Sequence, residues 1–299
     1  MEPTHLIRLP DGRSLALDDV GDPGGVPVVY LHGTPDSRLA RHPDDDIARA
    51  CGVRLIAIDR PGSGDSDPGG GGLVELGDDI AHALDSLGVE EVALLGWSAG
   101  GLFSLGAASP SSGLHPRVRA VLLVGTLPPV EAYADADLVA ELGPRRRPFV
   151  ELAAEVPPKE LAAEVAPYLV PQPLAPDMAL EHVLEGAGDE GRAELAMVPG
   201  AAEQMAVALM ASVQQGLGGL QRDIELQLEP GLDLSGISAP VISVHGERDG
   251  VSPPAVGEWL AGRLPNADVE VLPDASHHLV FPHWEHLLAR LTALWARRG

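Results

Sequence analysis

Five short runs, almost continuously apolar and rich in β-branched residues, constrain this chain more than any other feature. They are 26–31 (VPVVYL), 53–58 (VRLIAI), 92–95 (VALL), 118–124 (VRAVLLV) and 241–244 (VISV). A strand with one face in water alternates apolar and polar residues, whereas a strand covered on both faces has no reason to. Between the runs lie segments with helical patterning, at 38–50, 73–87, 99–108 and 255–264. A last one, 283–298, ends in Arg297 and Arg298, cations that complement the negative end of the helix dipole. This alternation predicts an α/β fold with a doubly wound, mostly parallel sheet. An earlier pair, 5–8 and 14–18 around Asp11-Gly12, predicts a hairpin at the sheet edge.

The alternation stops after Val124. From 128 to 236 the chain reads as Ala/Glu/Leu-rich helices cut by Pro157, Pro158, Pro167, Pro171, Pro173 and Pro176, and strand character returns only at Pro240. Three parts are therefore expected: core over 1–127, a helical cap insertion over 128–236, and core again over 237–299. The insertion should sit over the carboxyl edge of the sheet, where open α/β sheets bind ligands. Four of the five methionines, Met178, Met197, Met205 and Met210, fall within it. Core filling is the simpler expectation for them, and an adaptable acyl-binding surface the alternative. The triple Arg145-Arg146-Arg147 and the acidic Glu131, Asp135, Asp137 and Glu141 read as solvated surface of the same segment.

Composition narrows the partners. With 20 basic and 44 acidic residues the formal net charge is −24, which repels nucleic acid and anionic lipid alike. The one cysteine, Cys51, cannot close an internal disulfide and fits a reducing compartment. Met1-Glu2-Pro3-Thr4-His5 has no basic region leading into an apolar stretch, so no signal peptide is expected, and no apolar run approaches a membrane span. The expectation is a soluble cytoplasmic protein that meets a small-molecule substrate, with oligomeric state left open. Zinc-type Cys/His spacing, a G-x-x-x-x-G-K-[ST] loop and a G-x-G-x-x-G turn after a strand are all missing from the sequence, so neither metal nor cofactor is expected.

Immediately after the run 92–95 comes Gly96-Trp97-Ser98-Ala99-Gly100-Gly101. This is G-x-S-x-G between a strand and a helix, the context that gives the motif meaning. A serine on so sharp a turn adopts an unfavourable backbone conformation with its hydroxyl projecting, and side chains two residues away on either side would collide. The helix that starts at Ala99 turns free N–H groups and its positive end toward developing negative charge.

Four further phrases stand in order around it: His32-Gly33-Thr34-Pro35, Asp59-Arg60-Pro61-Gly62-Ser63-Gly64-Asp65-Ser66, His245-Gly246-Glu247-Arg248-Asp249 and Pro273-Asp274-Ala275-Ser276-His277. Together with the serine turn they resemble the α/β-hydrolase superfamily, in particular its capped serine branch of proline iminopeptidase- and epoxide hydrolase-like esterases. The resemblance covers nearly the whole chain. It implies Ser98 as nucleophile, Asp249 as the acid and His277 as the base, in the order this fold uses. Either His277 or His278 follows the predicted strand 269–272 closely enough to reach Ser98, and the family's phrase maps onto His277. The family's usual glycine before that histidine is Ser276 here. Glu247 is the runner-up acid.

The oxyanion donors implied are the N–H groups of Ala99 and, by resemblance to the His-Gly-x-Pro branch, Thr34. Pro35 has no N–H to give. His32 reads as structural, and Asp59, Arg60 and Asp65 as a turn-stabilising network. A serine rather than an aspartate at the turn argues against epoxide opening and dehalogenation, which need a carboxylate nucleophile. The activity implied is hydrolysis of a carboxylic ester, or a related acyl bond, of a small and largely apolar substrate through an acyl-enzyme. Two alternatives stand beside it. One is a proline iminopeptidase-like aminopeptidase, for which Glu131, Glu203 or Glu225 would bind the substrate ammonium. The other is a hydrolase-fold binding protein without turnover.

Overall fold

The computed structural model describes residues 1–144 and 146–297. Eight strands form one sheet: β1 (His5–Arg8), β2 (Ser14–Gly21), β3 (Val26–Leu31), β4 (Val53–Ile58), β5 (Val92–Trp97), β6 (Val118–Val124), β7 (Val241–Gly246) and β8 (Ala267–Leu272). Their order is β1-β2-β4-β3-β5-β6-β7-β8. β1 and β2 pair antiparallel, as do β2 and β4, and every other pairing is parallel. The strand order reverses between β3 and β5, which makes that point the switch of the sheet.

The helices outside the stretch between β6 and β7 are α1 (Asp46–Ala50), α2 (Leu76–Ser86), α3 (Ala99–Ala107), and, near the end of the chain, α10 (Pro254–Ala261) and α11 (Trp284–Ala296). Alternate residues of each central strand feed different cores. Val28 and Tyr30 of β3 pack in one cluster with Leu287, Leu288 and Leu291 of α11, while Val29 and Leu31 join Ile80 and Leu84 of α2 and Leu102 of α3. Burial on both faces is why these strands are apolar without alternation.

Between β6 and β7 the described chain is helical: a 3-10 turn (Val130–Ala134), then α4 (Ala136–Glu141), α5 (Arg147–Glu155), α6 (Pro158–Leu169), α7 (Pro176–Ala196), α8 (Ala201–Ser212) and α9 (Gly218–Leu226). α7 is broken at Gly188, whose φ of 69° no helix accommodates.

One expected helix is largely absent. Of 38–50 only Asp46–Ala50 is helical. Pro43 cannot sit inside a helix without loss of a hydrogen bond, and the side chains of Arg38 and Arg41 are drawn inward. Arg38 is fully buried and pairs through Nε with Asp18 at 3.1 Å and through Nη1 with Asp65 at 2.9 Å, while Arg41 Nη1 reaches Asp18 at 2.9 Å. Pairing of buried cations outweighs local helical propensity. The last helix ends at Ala296, and Arg298, expected in its final turn, lies outside the described residues.

Candidate active site

Ser98 joins β5 to α3 with φ 54° and ψ −125°, in the positive-φ region that side chains avoid. The turn is held by Ser98 N–H donating to Val124 O at 2.9 Å and by Ser98 O accepting from Gly101 N–H at 3.1 Å. The flanking glycines are demanded by contact: a β-carbon on Gly100 would stand 1.9 Å from Leu31 O, and one on Gly96 would stand 2.3 Å from Gly100 O. Helix α3 can therefore lie directly against β3 and β5 only because these two positions are bare.

His277 enters from the loop after β8. Its Nε2 is 3.0 Å from Ser98 Oγ and its Nδ1 is 2.8 Å from Asp249 Oδ2. Asp249 follows β7 and is buried, and its Oδ1 accepts the N–H groups of Val251 and Ser252, each at 2.8 Å. With one oxygen fixed by backbone donors, the other is aimed at Nδ1. That assigns the ring proton to Nδ1 and leaves Nε2 to accept from the serine hydroxyl. Trp97 Nε1–H donates to His277 O at 2.9 Å, tying the loop to the end of β5.

Gly125, not singled out by the sequence reading, completes the fit. It has φ +50°, and a β-carbon there would lie 3.1 Å from Asp249 Oδ2 and 3.3 Å from His277 Nδ1. Its only signal in the sequence is a glycine directly after a strand.

The structure thus brings Ser98, His277 and Asp249 into one hydrogen-bonded chain. His278 lies edge-on to His277, ring centroids 6.0 Å apart, and faces the cavity. Glu247 is exposed and accepts Asp274 N–H at 3.1 Å, away from the histidine ring.

Ala99 is the first residue of α3, whose leading N–H groups have no acceptor within the helix. Thr34 lies in the loop after β3 and lines the cavity. Its hydroxyl donates to Asp223 Oδ2 and accepts from Arg60 Nη2, both at 2.9 Å. Arg60 is buried and does more than stabilise its own turn. It donates to His32 O, to Gly33 O at 2.9 Å, and to both oxygens of Asp223 on α9. His32 itself donates from Nδ1 to Gly33 O at 2.8 Å, and burial, with Arg60 adding to it, holds its pKa well below the ordinary value. A neutral ring fully enclosed in this way braces the loop. Asp59 is likewise structural: it accepts Arg38 N–H at 2.7 Å, Asp65 N–H at 3.0 Å and Arg38 Nη1 at 2.5 Å. Burial raises its pKa against the opposing pull of Arg38.

A cavity of about 480 Å³ opens on Ser98. Its walls include Leu127, Phe149, Val183, Met205, Leu209 and Ile224, so most of what a ligand would meet is hydrocarbon. Of the four methionines, Met205 lines the cavity, Met210 packs into the core, and Met178 and Met197 are exposed. Arg146, expected on the solvated surface, instead lines the cavity with its guanidinium 4.3 Å over the Phe149 ring, because the planar cation gains from the aromatic face. Arg145 lies outside the described residues, and Arg147 is exposed.

The three glutamates considered for an ammonium do not line the cavity. Glu131 accepts Gly231 N–H at 2.6 Å, Glu225 pairs with Arg222 at 2.9 Å, and Glu203 is exposed. Another carboxylate, absent from the sequence reading, does reach the site. Glu194 on α7 is buried; its Oε1 accepts Ser276 N–H at 2.5 Å and its Oε2 accepts the Ser276 hydroxyl. Among the described residues no group of three or more His, Cys, Asp or Glu could hold a metal ion, and no helix is long and apolar enough to cross a membrane.

A family model described as alpha/beta hydrolase fold matches residues 26–283. The dihydrolipoyllysine-residue acetyltransferase component of an acetoin cleaving system from Pseudomonas putida is 28% identical over 272 residues, 89% of this chain and 62% of that protein. This chain therefore spans about three fifths of that relative's length. A pimeloyl-[acyl-carrier protein] methyl ester esterase of Neisseria meningitidis is 28% identical over 274 residues, 89% of this chain and 92% of its own. Among solved structures, an esterase from Rhodococcus sp. ECU1013 superposes with a TM-score of 0.65 at 22% identity, covering 100% of both chains. An esterase from Exiguobacterium antarcticum gives 0.63 at 20% identity, over 99% of this chain and 100% of that one.

Proposed function

The chain belongs to the alpha/beta hydrolase fold family, and from that premise we propose that it is a serine hydrolase cleaving carboxylic esters of small, largely apolar substrates. The observation that carries this reading is the chain Ser98 Oγ to His277 Nε2 at 3.0 Å and His277 Nδ1 to Asp249 at 2.8 Å, at the floor of an apolar cavity. Ser98 Oγ attacks the acyl carbonyl while His277 Nε2 takes its proton, and Asp249 stabilises the imidazolium that forms. The N–H groups of Ala99 and Thr34 receive the oxyanion, each donor being worth about 3–4 kcal/mol of transition-state stabilisation. His277 returns the proton to the departing alcohol, and water, activated by the same ring, releases the acid. The segment 128–236 acts as the cap that shapes the acyl site, and the protein works in the cytoplasm without cofactor. Esterases among the relatives and structural neighbours support the choice of ester.

The test is covalent. A fluorophosphonate should label the wild-type protein at Ser98, and p-nitrophenyl butyrate should be hydrolysed. Ser98→Ala should fold normally and lose both. Stoichiometric labelling that survives in Ser98→Ala would refute the assignment, and labelling without turnover would favour a binding protein.

A further inference from the structure

The acyl-transfer scheme leaves one carboxyl of the cavity unused. Asp36 follows the Gly33-Thr34-Pro35 loop, lines the cavity, and is 7% exposed. Its backbone carbonyl accepts the Ser63 hydroxyl at 2.7 Å, but its carboxyl has no hydrogen bond or ion pair among the described residues. Asp36 Oδ2 lies 3.1 Å, and Ser98 Cβ 3.3 Å, from the single point that a β-carbon on Gly33 would occupy. The carboxyl is thus beside the nucleophile, with the bare face of a glycine between them.

Its charged neighbours do not satisfy it. Arg60, after β4, spends its guanidinium on Asp223, His32 O, Gly33 O and Thr34 Oγ1. Asp223 on α9 repels it, and Tyr30 on β3 is a neutral phenol. The other titratable side chains facing the cavity are Arg146, His182, His277 and His278. A buried carboxyl kept without a donor costs free energy, and beside a reacting group it points to a ligand that supplies the missing donor. Resting on the acyl-transfer reading of Ser98, we propose that Asp36 is a subsite for a primary amine carried next to the scissile carbonyl, so that the preferred substrates are α-amino acid esters or amides.

Proton chemistry matches. Burial, with Asp223 adding and Arg60 opposing, raises the pKa of Asp36 to about 8, and an α-amino group titrates at about 7.7–8.0. The uncharged amine enters facing the neutral acid. The O–H bond of Asp36 then breaks, its proton binds the nitrogen lone pair, and a carboxylate–ammonium pair results with no net charge carried into the apolar site.

The p-nitrophenyl esters of alanine, propionic acid and lactic acid have similar size and differ in the α-substituent. After correction for spontaneous hydrolysis, wild-type kcat/KM should favour the alanyl ester over the propionyl ester about ten- to hundredfold, the worth of one charge-assisted hydrogen bond. Asp36→Asn should abolish that preference while leaving the propionyl ester within about twofold of wild type. Equal losses on all three esters, a preference that survives in Asp36→Asn, or a lactyl ester as good as the alanyl would overturn the subsite. Calorimetry on Ser98→Ala separates binding from chemistry: butylamine should bind more tightly than butanol, and adding Asp36→Asn should remove the difference. If no ester is turned over, the acyl-transfer reading fails while amine binding still decides the subsite. Equal affinity for amine and alcohol sinks it.

Discussion

Ser98 holds a backbone conformation that costs a residue with a side chain on the order of 1–3 kcal/mol, and the surrounding bonds to Val124 and Gly101 enforce it. Its partner is chosen with similar narrowness. His277 alone, of two adjacent histidines, bonds to both Ser98 and Asp249. His277→Ala should therefore lower kcat on a short p-nitrophenyl ester by several orders of magnitude, whereas His278→Ala should keep most of it. The reverse ranking would move the base to His278. The adjacency of Ser98, Asp249 and His277 is legible in the sequence because each stands just past the carboxyl end of a strand in a short local phrase. Asp36, Gly125 and Glu194 are not legible in that way. Asp36 stands directly after the His32-Gly33-Thr34-Pro35 phrase with no local pattern to mark it, and its isolation follows only from where Arg60 spends its donors.

At the scale of elements, the strands could be read because burial on two faces writes itself into composition, as in β3 and β6. The stretch 38–45 could not, since its conformation follows ion pairs with Asp18, Asp59 and Asp65, distant in sequence. The same limit hides the role of α7. One turn of it grips both neighbours of His277: Glu194 accepts from Ser276, and Gly191 lies so close to His278 that a β-carbon would stand 2.6 Å from its Nδ1. Ser276, where the family usually has glycine, is what gives the carboxylate a hydroxyl to hold. Glu194→Ala should lower kcat about tenfold or more with KM little changed, by loosening the histidine loop. Glu194→Gln, which can still accept the Ser276 N–H, should restore much of the loss. A fall in KM-dependent binding alone would show that the contact serves the cavity wall instead.

For the molecule as a whole, the unpaired carboxyl of Asp36 has a thermodynamic signature. Its pKa is about 8 in the folded chain and about 3.9 in an unfolded one. Between those values the folded state retains a proton that the unfolded state has released, so this group's contribution to stability is full below about pH 4 and declines as pH rises to about 8. Asp36→Asn cannot titrate there. The gap in urea midpoint between variant and wild type should widen in the variant's favour from about pH 4 to about pH 8 and then level off. A gap independent of pH would show that the carboxyl is not held neutral.

Two buried carboxylates of the helical segment, Asp223 and Glu194, reach out of it to hold Arg60 and Ser276 in the core. The segment is consequently not a cassette that recombination can exchange freely. A chimera that imports the corresponding helices of a relative without an acid at the position of Asp223 strands a fully enclosed guanidinium, a defect worth about 3–5 kcal/mol. If the chain is the ester hydrolase proposed above, helices and core would set its substrate range jointly, and new specificities would be more accessible through changes on the cavity wall, at Met205 or Leu209, than through wholesale replacement of 128–236.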